Sequence, residues 1–204
     1  MSLVLEEFFM ELNIPSWFPL LMAKVCHDIA SPLGALSLGL EILENDSNQN
    51  LPTLPILNES CGLAQLKLRF YRQLFTASPN FIEIKNLIES VCENKSISVS
   101  WQGSYLQDEE IASLLLGIVI ISTDALYRGG IVVIDLSQLQ IQGSGLILQW
   151  HPDVLKALIN PHFSLETANE RTILISYLHI ICKKFNKSIA YSSVEEHKFS
   201  ITLS

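Results

Sequence analysis

From Met22 onward the apolar positions step by four and three in alternation: Met22, Cys26, Ile29, Leu33, Leu36, Leu40 and Leu43. That spacing is a heptad seam, one stripe of an α-helix. A second seam follows in Leu54, Leu57, Cys61, Ala64, Leu68, Tyr71 and Phe75. The polar run Asn45-Asp46-Ser47-Asn48-Gln49-Asn50 lies between them and reads as a loop. Pro52 and Pro55 suit the start of the second helix, where a missing N–H costs little. Ser78-Pro79-Asn80 ends it. Residues 17–77 are therefore expected to form an antiparallel helical hairpin. The second helix carries a further stripe, Leu63, Leu66, Phe70 and Leu74. Two helices alone cannot bury that much apolar surface. The expectation is a homodimer whose two hairpins make a four-helix bundle. The alternative is that the stripe packs on the chain's own C-terminal half.

From Phe81 the pattern turns mixed. Residues 84–94 read as a short helix and 97–101 as a strand with Val99 and Trp101 on one face. A strongly apolar helix is expected over 108–126, opened by Asp108, Glu109 and Glu110, whose charges suit a helix N-terminus. Arg128-Gly129-Gly130 reads as a turn and 131–136 as a strand. Two more strands, 139–142 and 146–150, are expected about a hairpin turn at Gly143-Ser144-Gly145. A short helix over 152–159 precedes a longer one over 167–185, with Ile173, Tyr177, Ile180 and Ile181 as its apolar stripe. Residues 189–191 and 197–203 close as a hairpin. Helices on one face of a mixed sheet make an α/β sandwich. The expected fold class is α+β, with a helical-hairpin unit over 1–78 and a sandwich over 79–204.

Composition sharpens this picture. The chain has 204 residues, 49% of them hydrophobic, with a mean hydropathy of +0.32. That calls for a large core or an apolar face buried in an oligomer. The longest unbroken apolar stretch, 114–121, is far short of the ~20 residues a membrane span needs. Residues 1–11 hold three glutamates and no basic residue, so no secretory signal is expected. A net charge of −8 argues against nucleic acid and anionic membranes as partners. Four cysteines without a Cys-x-x-Cys pair give neither a zinc cluster nor a disulfide framework. They are expected to be buried, reduced thiols in a cytoplasmic protein. His151, His162, His179 and His197 are scattered, with no metal-binding spacing.

The candidate chemistry lies in Cys26-His27-Asp28-Ile29-Ala30-Ser31-Pro32-Leu33. His27 follows a seam residue and is turned about 100° from the seam. One turn away stand Lys24, Ser31 and Gly34, all small or polar. Its imidazole is expected to point into solvent. Pro32 removes an N–H and crowds the carbonyl of Asp28, at ~3 kcal/mol in a helix interior. A kink after His27 is expected there, since the seam continues to Leu43. Asp28 either holds the proton on the other ring nitrogen of His27 or is a solvated acid. Lys24 either attracts phosphate or is a plain surface lysine.

The His-Asp-x-x-x-Pro run resembles the phosphoacceptor box of two-component signalling proteins. A hairpin carrying it, followed by this α/β order, resembles a histidine kinase. Such kinases carry Asn-x-x-x-Asn-Ala on the helix before the first sheet hairpin. Here the stretch is Ile120-Ile121-Ser122-Thr123-Asp124-Ala125, and an apolar side chain at Ile120 offers no oxygen to Mg²⁺. Where the kinases have Asp-x-Gly-x-Gly, this chain has His151-Pro152-Asp153, and no glycine follows Gly145. A lone Gly143-Ser144-Gly145 is a weak phosphate-loop signal. The combination resembles the ChpT-type bacterial histidine phosphotransferases, in which an ATPase-like domain no longer binds nucleotide; Asp124-Ala125-Leu126-Tyr127-Arg128-Gly129-Gly130 adds to the resemblance. The resemblance implies His27 as phosphoacceptor with Asp28 as its acidic neighbour. It implies a phosphotransferase without autokinase activity or a cofactor of its own, Mg²⁺ being needed only on the partner. The implied partners are a second copy, the receiver domain of a hybrid histidine kinase, and a response regulator. Two alternatives are a divergent sensor histidine kinase and a non-catalytic dimeric scaffold that binds receiver domains.

Overall fold

A computed structural model describes residues 15–45, 53–103, 109–160, 163 and 165–204. Residues 1–11, read as no secretory signal, together with the loop at 46–50, Pro52, Asp108 and His162 lie outside the described residues. Two long helices come first, α1 (Phe18–Asn45) and α2 (Thr53–Phe75). They form the hairpin that the two seams predict, and α1 runs through Pro32 without a break. After α3 (Phe81–Asn94) come β1 (Ile97–Gln102), α4 (Glu109–Ala125), β2 (Gly130–Asp135) and β3 (Gln140–Ser144). Then follow α5 (Pro152–Ile159), α6 (Ile173–Lys184), β4 (Ile189–Glu195) and β5 (Lys198–Leu203). The five strands make one sheet in the order β1-β2-β3-β5-β4, with β1 parallel to β2 and the other neighbours antiparallel. The class is α+β, as expected.

The two helices of the hairpin touch through small residues. The buried positions of α2 include Thr53, Leu57, Ser60, Ala64, Tyr71 and Leu74. A Cβ on Gly39 of α1 would stand 2.5 Å from a methyl of Leu57, so a larger residue there would have to push the Leu57 side chain aside. The buried face of α1 runs through Leu21, Pro32 and Gly39, beside rather than along the seam read from sequence. The seam therefore divides. Leu57, Ala64 and Tyr71 are buried, whereas Met22, Leu33, Leu40, Leu54 and Leu68 are exposed. The further stripe divides too: Phe70 and Leu74 join the α/β core, and Leu63 is exposed.

That core is built around α4, which is apolar on all sides and packs against α2, α3 and α6. Leu114, Leu115, Leu116 and Ile118 are fully buried there, against Val132, Ile134, Ile141 and Ile201 from the sheet. Caps set the element ends. The Asn80 side chain accepts from the Glu83 N–H at 3.0 Å and starts α3. Asp135 accepts from the N–H groups of Ser137 and Gln138 at 2.9 and 3.1 Å and folds the β2–β3 turn.

Four sequence expectations are corrected. Residues 146–150 are not a strand; the N–H of Gln149 bonds back to the Ala125 carbonyl at the end of α4 instead of to the sheet. Gly143 and Ser144 are not a turn but lie in β3, because the Phe199 ring crosses the sheet where a Gly143 side chain would stand. The helix expected over 167–185 starts only at Ile173. Asn169 accepts from the N–H groups of Arg171 and Thr172 at 2.9 and 3.1 Å and holds the preceding loop open. Its buried side runs through Leu174, Ile175, Leu178 and Cys182, while Ile180 faces solvent. Finally, Cys92 and Cys182 are buried but Cys26 and Cys61 are exposed. Among the described residues no helix is long and apolar enough to cross a membrane.

Candidate functional site

His27 stands on the outer side of α1 with 68% of its side chain exposed, where the turn away from the seam places it. Asp28, the next residue, is turned inward. Its Oδ1 accepts from the Lys24 ammonium at 2.7 Å and its Oδ2 from the Tyr71 hydroxyl of α2 at 2.6 Å. Burial pushes the Asp28 carboxyl up, but these two bonds and the charges of Lys24 and Lys67 outweigh it and hold the group below the usual carboxylate range. Burial and the Asp28 carboxylate push the Tyr71 phenol up, so it stays a donor. The carboxylate is thus a fixed anion that pins one helix to the other directly behind the histidine.

The pin continues into the α/β half. Tyr71 stacks on Phe75, with centroids 5.7 Å apart. Phe75 meets Tyr177 of α6 edge-on at 5.2 Å, and Trp17 lies against the same Tyr177 at 6.1 Å. Such aromatic pairs contribute beyond area burial. The site is therefore anchored to both helices and to α6.

The loop before α6 brings a second acid. Nδ1 of His27 lies 3.6 Å from Asp28 Oδ1 and 3.7 Å from Glu170 Oε1. Neither distance is a hydrogen bond; both acids face Nδ1. Asp28 is therefore held by Lys24 and Tyr71, rather than mainly by the His27 ring. Lys24 is no free surface lysine, for it is the ion-pair partner of Asp28. Sequence reasoning placed Tyr71 only as a seam residue and did not find Glu170. A tyrosine at an inner position of the hairpin was a usable signal, since its hydroxyl needs a partner when buried. Glu170 left no signal, because only the fold brings its loop to α1.

Beside this site lies a cavity of about 410 Å³, lined in part by Lys24, Asp124, Ala125, His151 and Arg171. It is bordered by the end of α4 and the start of α5. Asp124 is paired with Lys95, and the Arg171 guanidinium with the His151 ring. Ile120 packs on the apolar core. Among the described residues no group of histidine, cysteine, aspartate and glutamate is placed to hold a metal ion. His179, given no role from sequence, is buried and donates from Nε2 to the Ala157 carbonyl at 3.0 Å.

Known proteins resemble this arrangement over most of its length. A solved structure titled a bacterial phosphotransferase superposes with a TM-score of 0.79 at 22% identity, covering 92% of this chain and 95% of that one. The likeness shows a shared fold. The histidine kinase AdeS of Acinetobacter baumannii superposes more weakly, with a TM-score of 0.42 at 14% identity over 87% of this chain and 97% of that chain. In sequence, the protein phosphotransferase ChpT of Brucella abortus is 30% identical over 124 residues. That match takes in 57% of this chain and spans 59% of the length of the relative. The family described as the histidine phosphotransferase C-terminal domain matches residues 81–197. With more than half of its length inside that match, the chain belongs to the ChpT-type histidine phosphotransferases.

Proposed function

We propose that the protein is an intermediate of a phosphorelay in which His27 carries the phosphoryl group. The observation that carries this reading is an imidazole 68% exposed on a continuous helix, backed by a carboxylate fixed from two sides. A neutral imidazole nitrogen is a nucleophile near neutral pH. Its lone pair attacks the phosphorus of an aspartyl phosphate on a receiver domain. The P–N bond forms as the acyl P–O bond breaks, and the partner's carboxylate leaves. The reverse step delivers the group to the aspartate of a response regulator. Transfer of this kind is chiefly positioning and charge stabilisation, and Mg²⁺ on the partner receiver supplies the larger share of the charge. Residues 1–78 carry the phosphoryl group and dimerise; residues 79–204 support them. The exposed Met22, Leu33, Leu40, Leu54 and Leu68 support a second copy as the hairpin's missing partner. A contiguous apolar face of this kind marks an interaction site, and two hairpins make a four-helix bundle. The working compartment is the cytoplasm.

No ATP enters this scheme. Ile120 and Asp124 replace the amides of the kinase motif, and the Asp124 carboxylate is engaged by Lys95. The cavity of about 410 Å³ beside Lys24 favours a second reading, a divergent sensor kinase. One experiment separates the two. Labelled ATP alone should leave the purified protein unlabelled, and a phosphorylated receiver should label it. His27→Gln should lose acceptance entirely while keeping its helical circular dichroism. Labelling of that variant overturns the assignment, and self-labelling from ATP favours the kinase.

A further inference from the structure

We propose that Glu170 is a positioning residue for the accepting histidine: its carboxylate holds the proton on Nδ1 of His27 and leaves the lone pair of Nε2 open to solvent. This inference rests on the relay reading of His27. The geometry is asymmetric about the ring. On the Nδ1 side stand two carboxylate oxygens, Asp28 Oδ1 at 3.6 Å and Glu170 Oε1 at 3.7 Å. On the Nε2 side His27 has no hydrogen-bond or ion-pair partner among the described residues. A neutral imidazole carries one proton, and it settles on the nitrogen that faces the anions.

Of the two acids, Glu170 is the one available to take that proton's hydrogen bond. Asp28 is oriented by Lys24 on Oδ1 and by Tyr71 on Oδ2. Glu170 has no ion-pair partner other than His27 among the described residues, and half of its side chain is exposed. Either side chain needs only a small rotation to bring the 3.7 Å contact to hydrogen-bond length. The backbone beneath Glu170 is firm. The Asn169 side chain, just before it, accepts from the N–H groups of the two residues that follow it, Arg171 and Thr172, and Thr172 is buried. The acid is thus set on a capped loop rather than on a loose one.

The chemical consequence follows from where the charge goes. When Nε2 attacks phosphorus, the ring keeps its Nδ1 proton and gains positive charge. A carboxylate facing Nδ1 stabilises that charge in the transition state and fixes the ring plane. Outer carboxylates act in this way on histidines whose other nitrogen binds a metal. The charged and titratable groups around the ring are Lys24 and Asp28 on its own helix, Lys67 and Tyr71 on α2, and Glu170 and Arg171 on the loop, with His151 beyond Arg171.

The test compares wild type with Glu170→Gln, an exposed change that leaves the fold in place. Long-range proton–nitrogen spectra of protein with ¹⁵N-labelled histidine read the His27 tautomer without any phosphotransfer. Wild type should carry the proton on Nδ1, and the variant should shift it toward Nε2. Phosphoryl acceptance from a phosphorylated receiver should fall roughly tenfold, the low end for outer partners of a working histidine. An unchanged tautomer overturns the role of Glu170, even if the rate falls. Labelling of His27→Gln, by contrast, overturns the relay reading and not the tautomer assignment.

Discussion

The hairpin and the α/β half bury their apolar residues by opposite rules. Around α4 each large side chain has partners in its own chain, and Leu114, Leu116 and Ile118 are at most 1% exposed. In the hairpin the intimate contact uses Gly39, Thr53, Ser60 and Ala64, while Leu33, Leu40 and Leu68 remain half exposed. Small residues let two helices approach closely and leave the bulky ones exposed. The α/β half closes its core within the chain; the hairpin leaves large apolar side chains exposed. The site sits at the join, with Asp28 tied to Tyr71 and through Phe75 and Tyr177 to α6. The exposed His27 therefore stands at the part of the hairpin that packs on α6.

The comparison breaks most sharply under deletion. Leu116→Ala should cost about 2–5 kcal/mol in urea unfolding, as large-to-small changes in a closed core do. Leu40→Ala, measured on dilute monomer, should stay within about 0.5 kcal/mol, as surface changes do. Equal costs would mean that the hairpin is closed within one chain.

Charge on the open face is the next test. Wild type should sediment as a dimer, and the triple variant Leu33→Glu, Leu40→Glu, Leu68→Glu as a monomer. Cys26 and Cys61 should then react with a thiol reagent faster than in wild type. Cys92 and Cys182 should stay slow in both, since burial pushes each thiol up to about 11. A wild-type protein that is monomeric at high concentration would remove the four-helix bundle.

The smallest effect lies at the join. Tyr71→Phe removes a hydrogen bond to a charged acceptor, a loss of about 1.5–3 kcal/mol at neutral pH. Asp28 is held below its ordinary 3.8 in the folded chain. The stability it supplies is therefore present above that value and lost as pH falls through the lowered one. The gap between Tyr71→Phe and wild type should close under strongly acidic conditions. A gap that does not depend on pH would place the cost in packing rather than in the carboxylate.

Periodicity alone determined a large part of this protein. Steps of four and three along residues 22–75 specify two helices, because an α-helix returns the same face at that spacing. The offset of His27 from Cys26 puts the imidazole outside for the same reason. The lost motifs at Ile120, Asp124 and His151 were also legible, since they are facts of residue identity. Other features were decided only in three dimensions. Gly143 read as a turn because glycine commonly makes one, yet here it clears space for Phe199, a neighbour set by β3–β5 register. Residues 146–150 are an apolar run like that of a buried strand but bond to the end of α4 instead of joining the sheet. Which half of each seam closes on its own partner depends on how near Gly39 lets the helices come. The site divides in the same way. His27 and Asp28 are adjacent in sequence, but Tyr71 and Glu170 reach them from α2 and from the loop before α6. Local rules act over a few residues, and these contacts exist only once the two halves of the chain are packed together.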